Sequence, residues 1–236
     1  MPPTQAVPAA NRLLAALPDQ DRDHLLALCE PVELNIAETL YLAEEPIPHV
    51  YFPTGGFVSL VMPIDDSKKL AVGLVGNEGV LGVTLLLGVD ASPFDAVVQG
   101  AGPALRITTA AFLSELGQSP ALRQELKRHL YVMLSQLAQA TACNRFHLVD
   151  AHLARWLLMS HDRAHSDTFH VTHQFLAFML GVRRIGITEA ANSLQQQKLI
   201  RYHRGDITII DRLGLEAAAC GCYRAGLETY RRILGE

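Results

Sequence analysis

The sequence predicts an α+β protein of two domains joined by a long helix, and three observations support this fold class. Short apolar segments separated by turn residues fill residues 31–108. A seam of apolar residues at intervals of four and three then runs through 119–149. The charge also divides, because residues 1–118 carry 5 Lys and Arg against 14 Asp and Glu, whereas residues 119–236 carry 15 against 10. We therefore expect domains at 1–118 and 150–236, with the seam helix and a hinge between them.

The first domain is predicted to be an antiparallel β-roll or jelly-roll barrel that follows two short helices. Residues 12–30 have apolar residues at helical spacing, broken by Pro18-Asp19. Glycines, prolines or acidic pairs separate nearly all the later segments, and roughly eight strands at this spacing are typical of such a barrel. The predicted strands cover residues 32–36, 39–42, 50–52, 57–62, 70–75, 96–99 and 104–107.

The long helix is predicted to begin at Ser119-Pro120, because serine is a favourable N-cap and proline is favoured at the first helical position. Its apolar seam is sustained for about three heptads, which is typical of a two-chain coiled coil. Packing of this seam on the chain's own barrel is the alternative. The predicted dimer interface consists of Leu126, Leu130, Met133, Leu137, Ala140 and Asn144.

The hinge is predicted at Val149-Asp150, where the seam is interrupted. Six of the ten histidines lie nearby, at positions 147, 152, 161, 165, 170 and 173. His161 and His165 have a spacing that can hold a metal ion, but histidines at a helix end also complement the helix dipole, and we favour that interpretation. A pH response at the hinge stays open, because histidine titrates near neutrality.

The segment 172–200 predicts a helix-turn-helix. Thr172 is a good N-cap for the first helix, Gly181 permits a tight turn, and Ile187 lies on the buried face of the second helix. Residues 201–210 then predict two short strands around a glycine-containing turn, which is the wing of a winged helix. An ordinary helical hairpin packed on a small sheet is the alternative.

Barrel, long helix, hinge and winged helix-turn-helix follow one another in an order that resembles the Crp/Fnr family of bacterial transcription regulators. The resemblance covers residues 13–212, and Gly181 to Ile200 aligns without gaps to the family's recognition helix and the segment behind it. It implies a homodimer that binds two-fold symmetric double-stranded DNA. It also implies a cyclic-nucleotide-binding-like barrel that senses an effector or contacts RNA polymerase.

The recognition helix departs from the family's usual pattern of Arg, Glu and Arg, because those places hold Arg184, Ile185 and Glu189. An arginine at the start of such a helix can bind guanine O6 and N7, and a glutamate can accept a hydrogen bond from cytosine N4. Basic residues at helix starts and wings usually contact phosphate. The predicted DNA contacts are Thr172, His173, Arg183, Arg184, Ile185, Thr188, Glu189, Asn192, Arg201, His203 and Arg204.

The effector region departs further from the family. Its cyclic-nucleotide members place an Arg-Ser pair where this chain has Phe94 and Asp95, and the arginine holds the cyclic phosphate. Phenylalanine offers a phosphate little and aspartate repels it, so we do not expect cAMP to bind in the family's manner. The effector-pocket candidates are Gly76, Glu78, Gly79, Phe94, Asp95 and Ala96.

Composition and motifs narrow the class of protein. A hydrophobic content of 49% with 19% charged residues is typical of globular proteins, and the longest apolar run, Val80 to Val89, is too short to span a bilayer. Residues 1–12 lack the pattern of a secretory signal, so a cytoplasmic location without a membrane partner is expected. Motifs of hydrolases, zinc proteases and nucleotide-binding enzymes are missing from the sequence, so we expect no enzyme activity.

The four cysteines, Cys29, Cys143, Cys220 and Cys222, match no zinc-binding or disulfide spacing. The tail, residues 213–234, is predicted to be helical. On one continuous helix the thiols of Cys220 and Cys222 would point about 200° apart, so a shared metal ion is not expected. A single cysteine near the N-terminus also excludes the iron–sulfur cluster of the family's oxygen-sensing branch, which needs about four ligands. We therefore expect free thiols, no metal and no cofactor apart from a small-molecule effector of unknown identity.

The sequence as a whole predicts a homodimeric, sequence-specific DNA-binding transcription regulator. The alternative is a small-molecule sensor whose winged helix contacts a protein partner instead of DNA. Ile185 and Glu189 on the recognition face keep this alternative open, since neither offers a phosphate a positive charge.

Overall fold

A computed structural model describes residues 11–65 and 68–235, so the first ten residues of the predicted sensor domain lie outside the described part. Two short helices open it, α1 (Arg12–Ala15) and α2 (Asp19–Ala27). The seven strands described before the long helix are β1 (Glu30–Leu34), β2 (Thr39–Tyr41), β3 (His49–Pro53), β4 (Phe57–Asp65), β5 (Lys68–Val75), β6 (Asp95–Gly100) and β7 (Gly102–Thr108).

These strands form two antiparallel sheets, in the orders β1-β7-β3 and β2-β6-β4-β5. Their inner faces share one core, in which Leu34 and Tyr51 from the first sheet meet Leu60 and Val98 from the second. A short 3₁₀ helix, Val83–Leu87, lies between β5 and β6. The predicted antiparallel jelly-roll barrel and the α+β class are therefore confirmed.

Two helices connect the barrel to the rest of the chain, α3 (Thr109–Gln118) and α4 (Pro120–Phe146). The start of α4 is as predicted, because Ser119 Oγ accepts a hydrogen bond from the Leu122 amide at 3.0 Å and proline occupies the first turn. The helix ends where His147 takes up an extended conformation. This break lies two residues before the predicted hinge.

The heptad seam of α4 packs on the chain's own barrel. Leu126 is fully buried in the core formed with the first helices and α3, and Leu130 and Met133 pack against the same core. Leu126 therefore has no surface left for a contact with a second chain, whereas Leu130 and Met133 are only partly buried and stay predicted interface residues. The adjacent face of α4 lies one residue further along the sequence than the seam, and it is exposed. Tyr131 and Leu134 on this face have 51% and 58% of their surface accessible.

The C-terminal half contains α5 (Val149–Ala164), β8 (Thr168–His170), α6 (His173–Leu180), α7 (Arg184–Gln196), β9 (Ile200–His203), β10 (Asp206–Ile209), α8 (Arg212–Ala218) and α9 (Cys222–Leu234). A separate core of buried side chains joins these elements, with Leu157, Leu176 and Ile187 fully buried. The predicted single tail helix is wrong, because the chain leaves the helical conformation between α8 and α9. Within the described residues, no helix is both long and apolar enough to cross a bilayer.

A buried ion pair joins the two halves of the chain. Arg163 on α5 donates to the carboxylate of Glu78 at 2.6 and 2.8 Å, and both side chains are largely buried. Burial alone would raise the pKa of Glu78, but the charge of Arg163 and the hydrogen bonds at the carboxylate hold that pKa below its usual value. The helix-turn-helix half is thus held to the barrel by a charge-assisted contact.

His129 lies where α4 meets the barrel, pressed against Gly79 so closely that a Cβ there would lie 2.6 Å from the imidazole. Burial lowers the pKa of His129 from 6.5 to about 4, and the carboxylate of Glu78 only partly opposes this effect. The imidazole is therefore neutral in the folded protein at pH 7.

We expect the free energy of unfolding to decrease as the pH falls from about 6.5 to 4. Over this range the unfolded chain binds a proton at His129, whereas the native state does not. This difference lowers the free energy of unfolding by about 3 kcal/mol. His152, whose pKa burial also lowers to about 4, contributes in the same direction. Urea unfolding at several pH values should show a shallower slope for His129→Met. The exposed control His165→Asn should keep the wild-type slope, and equal slopes for all three proteins would contradict the assignment.

Candidate DNA-binding site

The helix-turn-helix is formed by α6, a tight turn and α7. Thr172 Oγ1 accepts a hydrogen bond from the Phe175 amide at 3.1 Å and so caps α6, as predicted. Gly181 ends α6 with a φ of +64°, a left-handed conformation that glycine adopts at little cost. Ile187, Ala190 and Leu194 are buried against the core, which turns the opposite face of α7 outward.

The outward face of α7 combines two arginines with one apolar and two polar side chains. Arg183 is the N-cap residue, and the following residue, Arg184, begins the helix. Ile185 has 66% of its surface exposed, an unusual position for a large apolar side chain that does not contact the core. The exposed predicted contacts on this helix are Arg183, Arg184, Ile185, Glu189 and Asn192.

The wing is the hairpin of β9 and β10, and it lies next to β8 in a small antiparallel sheet. His203 pairs with Asp206, so Arg204 and Gly205 form a two-residue turn. Both have positive φ, +51° and +94°, which is the geometry of a type I′ turn. Arg204 therefore stands at the tip of the wing in a conformation that costs a non-glycine residue free energy.

The four arginines of this surface, Arg183, Arg184, Arg201 and Arg204, are all exposed. Across residues 11–65 and 68–235, none of them lies within 4.0 Å of a carboxylate. Their charge is therefore not neutralised within this part of the chain. An exposed row of arginines on a helix and its adjacent hairpin suits a polyanionic partner.

His173 does not lie on this surface, contrary to its prediction as a phosphate contact. Only 9% of it is exposed, because its ring stacks on Tyr202 at a centroid distance of 4.1 Å. Its Nδ1 lies 3.1 Å from Thr188 Oγ1, which itself donates to the Arg184 carbonyl. Burial, followed by the charge of Arg184, lowers the pKa of His173. His173 and Thr188 thus connect α6, α7 and the wing, and their polar atoms face inward.

The effector-pocket candidates do not form a nucleotide site in this structure. Asp95 is buried and accepts hydrogen bonds from Lys69 Nζ at 2.6 Å and the Ala43 amide at 2.9 Å. Phe94 lines a cavity of about 20 Å³, far below the roughly 300 Å³ of small-molecule sites. The residues present therefore fit neither the charge nor the size of a cyclic nucleotide.

The remaining pocket candidates are occupied with internal contacts. Glu78 pairs with Arg163, and the Gly76 amide donates to Glu78 at 3.2 Å. Gly79 packs on the imidazole of α4, and Ala96 is fully buried in β6. A cleft of about 600 Å³ lies instead between the barrel and the C-terminal helices, and arginines such as Arg155 and Arg212 line it. Sequence patterns missed this cleft, because its walls come from segments far apart in the chain.

Fold and surface together define a winged helix-turn-helix domain attached to a jelly-roll barrel. Residues 151–218 match the family model of the Crp-like helix-turn-helix domain. The predicted resemblance to the Crp/Fnr regulators is thus confirmed, and residues 151–218 are a Crp-like helix-turn-helix domain.

Solved structures extend the likeness of fold to nearly the whole chain. A transcriptional regulator of the Crp/Fnr family from Eubacterium rectale is 14% identical with a TM-score of 0.67, covering 87% of this chain and 96% of its own. A CRP-family regulator from Thermus thermophilus is 19% identical with a TM-score of 0.66, covering 80% and 96%. The c-di-GMP-responsive regulator CLP of Xanthomonas campestris is 15% identical with a TM-score of 0.63, covering 81% and 99%. No curated protein sequence is significantly similar to the chain.

The strained turn of the wing generates a prediction on stability. We expect Arg204→Asn to raise the free energy of unfolding by about 0.5–1 kcal/mol, because asparagine adopts a left-handed conformation more readily than arginine. Chemical denaturation measures this gain. Arg201→Asn in the extended strand β9 is the matched control, and it should give no gain because asparagine is unfavourable in strands. Equal destabilisation by both substitutions would show that the turn is not strained.

Proposed function

We propose that this chain is a homodimeric, sequence-specific DNA-binding regulator of transcription. The observation that carries the proposal is the exposed face of α7, where unpaired arginines continue onto the wing. A helix of this kind enters the major groove with its N-terminal residues at the base edges, while the wing contacts the sugar–phosphate backbone. The basic half of the chain then meets the DNA, and the acidic barrel remains away from it.

The side chains of α7 suggest a division of roles. Arg184, at the helix start, is the residue that we assign to a guanine, and Asn192 suits adenine N6 and N7. Ile185 offers an apolar contact to a thymine methyl group, and Glu189 can accept a hydrogen bond from cytosine N4. Arg201, His203 and Arg204 suit phosphates. Three of the DNA contacts predicted from the sequence are assigned a different role. Thr172, which caps α6, and the inward-facing His173 and Thr188 hold the helix-turn-helix and the wing in position.

The proposed dimer forms through the exposed face of α4, which lies beside the predicted seam. Tyr131, Leu134 and Ala138 are exposed at spacings of three and four, so they form an apolar stripe along one side of the helix. A second copy of this chain suits the stripe, because two antiparallel or parallel copies of one regular helix face are complementary to each other. Two recognition helices held in this way reach half-sites about 34 Å apart.

We assign the barrel a regulatory role because it shares the fold of the Crp/Fnr regulators. We also propose that it contacts RNA polymerase. We propose that its effector is not a cyclic nucleotide bound in the barrel, since Phe94 and Asp95 fit neither its charge nor its size. The second candidate function is a sensor whose winged helix binds a protein, and the 66% exposure of Ile185 supports it. Selection of genomic DNA fragments followed by footprinting separates the two, because only the first function yields a protected site at physiological salt.

Substitutions in the two parts of the surface should differ in their effect on DNA binding. Arg184→Ala should cost about 1–3 kcal/mol on the selected site and relax the preference at one base position. Arg201→Ala should weaken all sequences alike and reduce the slope of log affinity against log salt by about 1. Fluorescence anisotropy on matched and mismatched duplexes at several salt concentrations measures both effects.

The control for these substitutions is Arg224→Ala, an exposed arginine on α9 that lies outside the proposed surface. It should leave affinity and salt dependence close to wild type. If Arg184→Ala instead weakened every sequence equally, the role of α7 in reading bases would be refuted.

The dimer proposal predicts that Leu134→Glu yields a monomer, because two glutamates would be buried without partners. Light scattering after gel filtration measures the mass, and binding to a two-fold site should fall with dimerisation because one half-site is lost. Leu113→Glu is the matched control, since Leu113 is an exposed leucine on α3 with 44% of its surface accessible. A Leu134→Glu protein that kept the wild-type dimer mass would exclude this interface.

A further inference from the structure

Three cysteines and one histidine converge where α4 ends and α9 begins. The ligand atoms of Cys143, His147, Cys220 and Cys222 all lie within 4.8 Å of one another. The two sulphurs of Cys143 and Cys220 are 3.4 Å apart, and Cys222 Sγ is 3.7 Å from His147 Nδ1. Neither composition nor sequence spacing predicted this cluster.

Local structure explains why the four side chains meet. Cys143 and His147 are four residues apart at the end of α4, a spacing that places two side chains on the same helix face. The chain leaves the helical conformation at Ala219, whose backbone is extended, so Cys220 precedes α9 and Cys222 is its first residue. Cys220 is held there by a hydrogen bond from its amide to the Ala151 carbonyl at 3.4 Å. The break between α8 and α9 therefore removes the divergence of the thiols that a continuous helix would impose.

The distances suit a single tetrahedral ion. Zinc bonds to cysteine sulphur at about 2.3 Å and to histidine nitrogen at about 2.0–2.1 Å. In a regular tetrahedron with such bonds, two sulphurs are about 3.8 Å apart and a sulphur and a nitrogen about 3.6 Å apart. The cluster shows 3.4 Å for one sulphur–sulphur pair and 3.7 Å for one sulphur–nitrogen pair, so small side-chain rotations complete the geometry. Three thiolates with one imidazole form a soft donor set, which favours zinc over magnesium or calcium.

A buried arginine supplies a second observation that points to a ligand. Only 6% of Arg155 is exposed, and its Nε atom is buried without a hydrogen-bond partner in the described part of the chain. Its guanidinium is close enough to interact electrostatically with all three sulphurs. A zinc ion with three thiolates and a neutral histidine carries a net charge of −1. The site would therefore give this buried cation the negative counter-charge that it needs.

We propose that Cys143, His147, Cys220 and Cys222 bind one zinc ion in a tetrahedral Cys₃His site. On binding, the thiol protons pass to solvent and the three thiolates and His147 Nδ1 donate to the metal. The ion would join the last turn of α4 to the start of α9, across the hinge that precedes α5. The proposal goes beyond DNA binding and does not depend on it.

Cobalt(II) tests the site directly, because tetrahedral cobalt with thiolate ligands absorbs visible light intensely, whereas octahedral cobalt absorbs it only weakly. We expect the reduced, metal-stripped full chain to take up one equivalent of cobalt with this spectrum. Zinc should displace the cobalt one for one and raise the melting temperature by mass action. Absence of the thiolate spectrum in the reduced protein would overturn the proposal. So would a Cys143–Cys220 disulfide in the protein as purified, if reducing that disulfide did not restore metal binding.

Variants assign the ligands. Cys222→Ser and His147→Ala alter positions that are not fully buried, and each should weaken cobalt binding by more than about 100-fold, because one of four ligands is lost. Cys29→Ser is the matched control and should bind cobalt as wild type does. Unchanged binding by Cys222→Ser would refute the assignment.

A measurement on the wild-type protein avoids any loss of folding in the variants. Alkylation followed by mass spectrometry should show that zinc protects Cys222, the partly exposed thiol of the cluster, but leaves the partly exposed Cys29 as reactive as before. Equal alkylation of Cys222 with and without zinc would contradict the site.

Discussion

The position of the winged helix on the barrel depends on the buried ion pair between Arg163 and Glu78. Both charges have left water, so separating them would leave two buried ions without partners, which costs far more than keeping them together. The stem of Arg163 also lies over Gly76, where a Cβ would come within 2.8 Å of it. Because Arg163 lies near the end of α5, this contact helps to orient the helix on which α6 and α7 pack.

Helix α4 has three different surfaces, and each has a different role. Its heptad seam completes the barrel core through Leu126, and Tyr131 and Leu134 leave an apolar stripe open on the adjacent face. Its last turn and the residue that follows it place Cys143 and His147 against Cys220 and Cys222. We therefore propose that the barrel, the dimer interface and the DNA-binding domain all contact α4, a single helix of 27 residues.

Local patterns in the sequence were sufficient for the elements and the fold. Ser119 and Thr172 cap the helices that they were expected to cap, because capping depends on a few adjacent residues. The sequence pattern could not show that Leu126 of the predicted seam packs on the barrel, since two seams one residue apart in α4 are almost equally regular. Contacts between distant segments, such as Arg163 with Glu78 85 residues away, follow only from the assembled fold. The thiol cluster was also not predicted, because the helix break at Ala219 carries no strong sequence signal.

The contact between Leu70 and Gly181 adds a consequence for how a signal would travel. Leu70 on β5 lies so near the turn of the helix-turn-helix that a Cβ at Gly181 would be 2.9 Å from its methyl group. Like the Arg163–Glu78 ion pair and the Gln99–Met179 contact, this contact ties the DNA-binding domain to the barrel. A domain held at several separated places rotates less freely than one joined by a single hinge. The barrel can therefore restrain the recognition helix directly, through β5, without passing strain along α4.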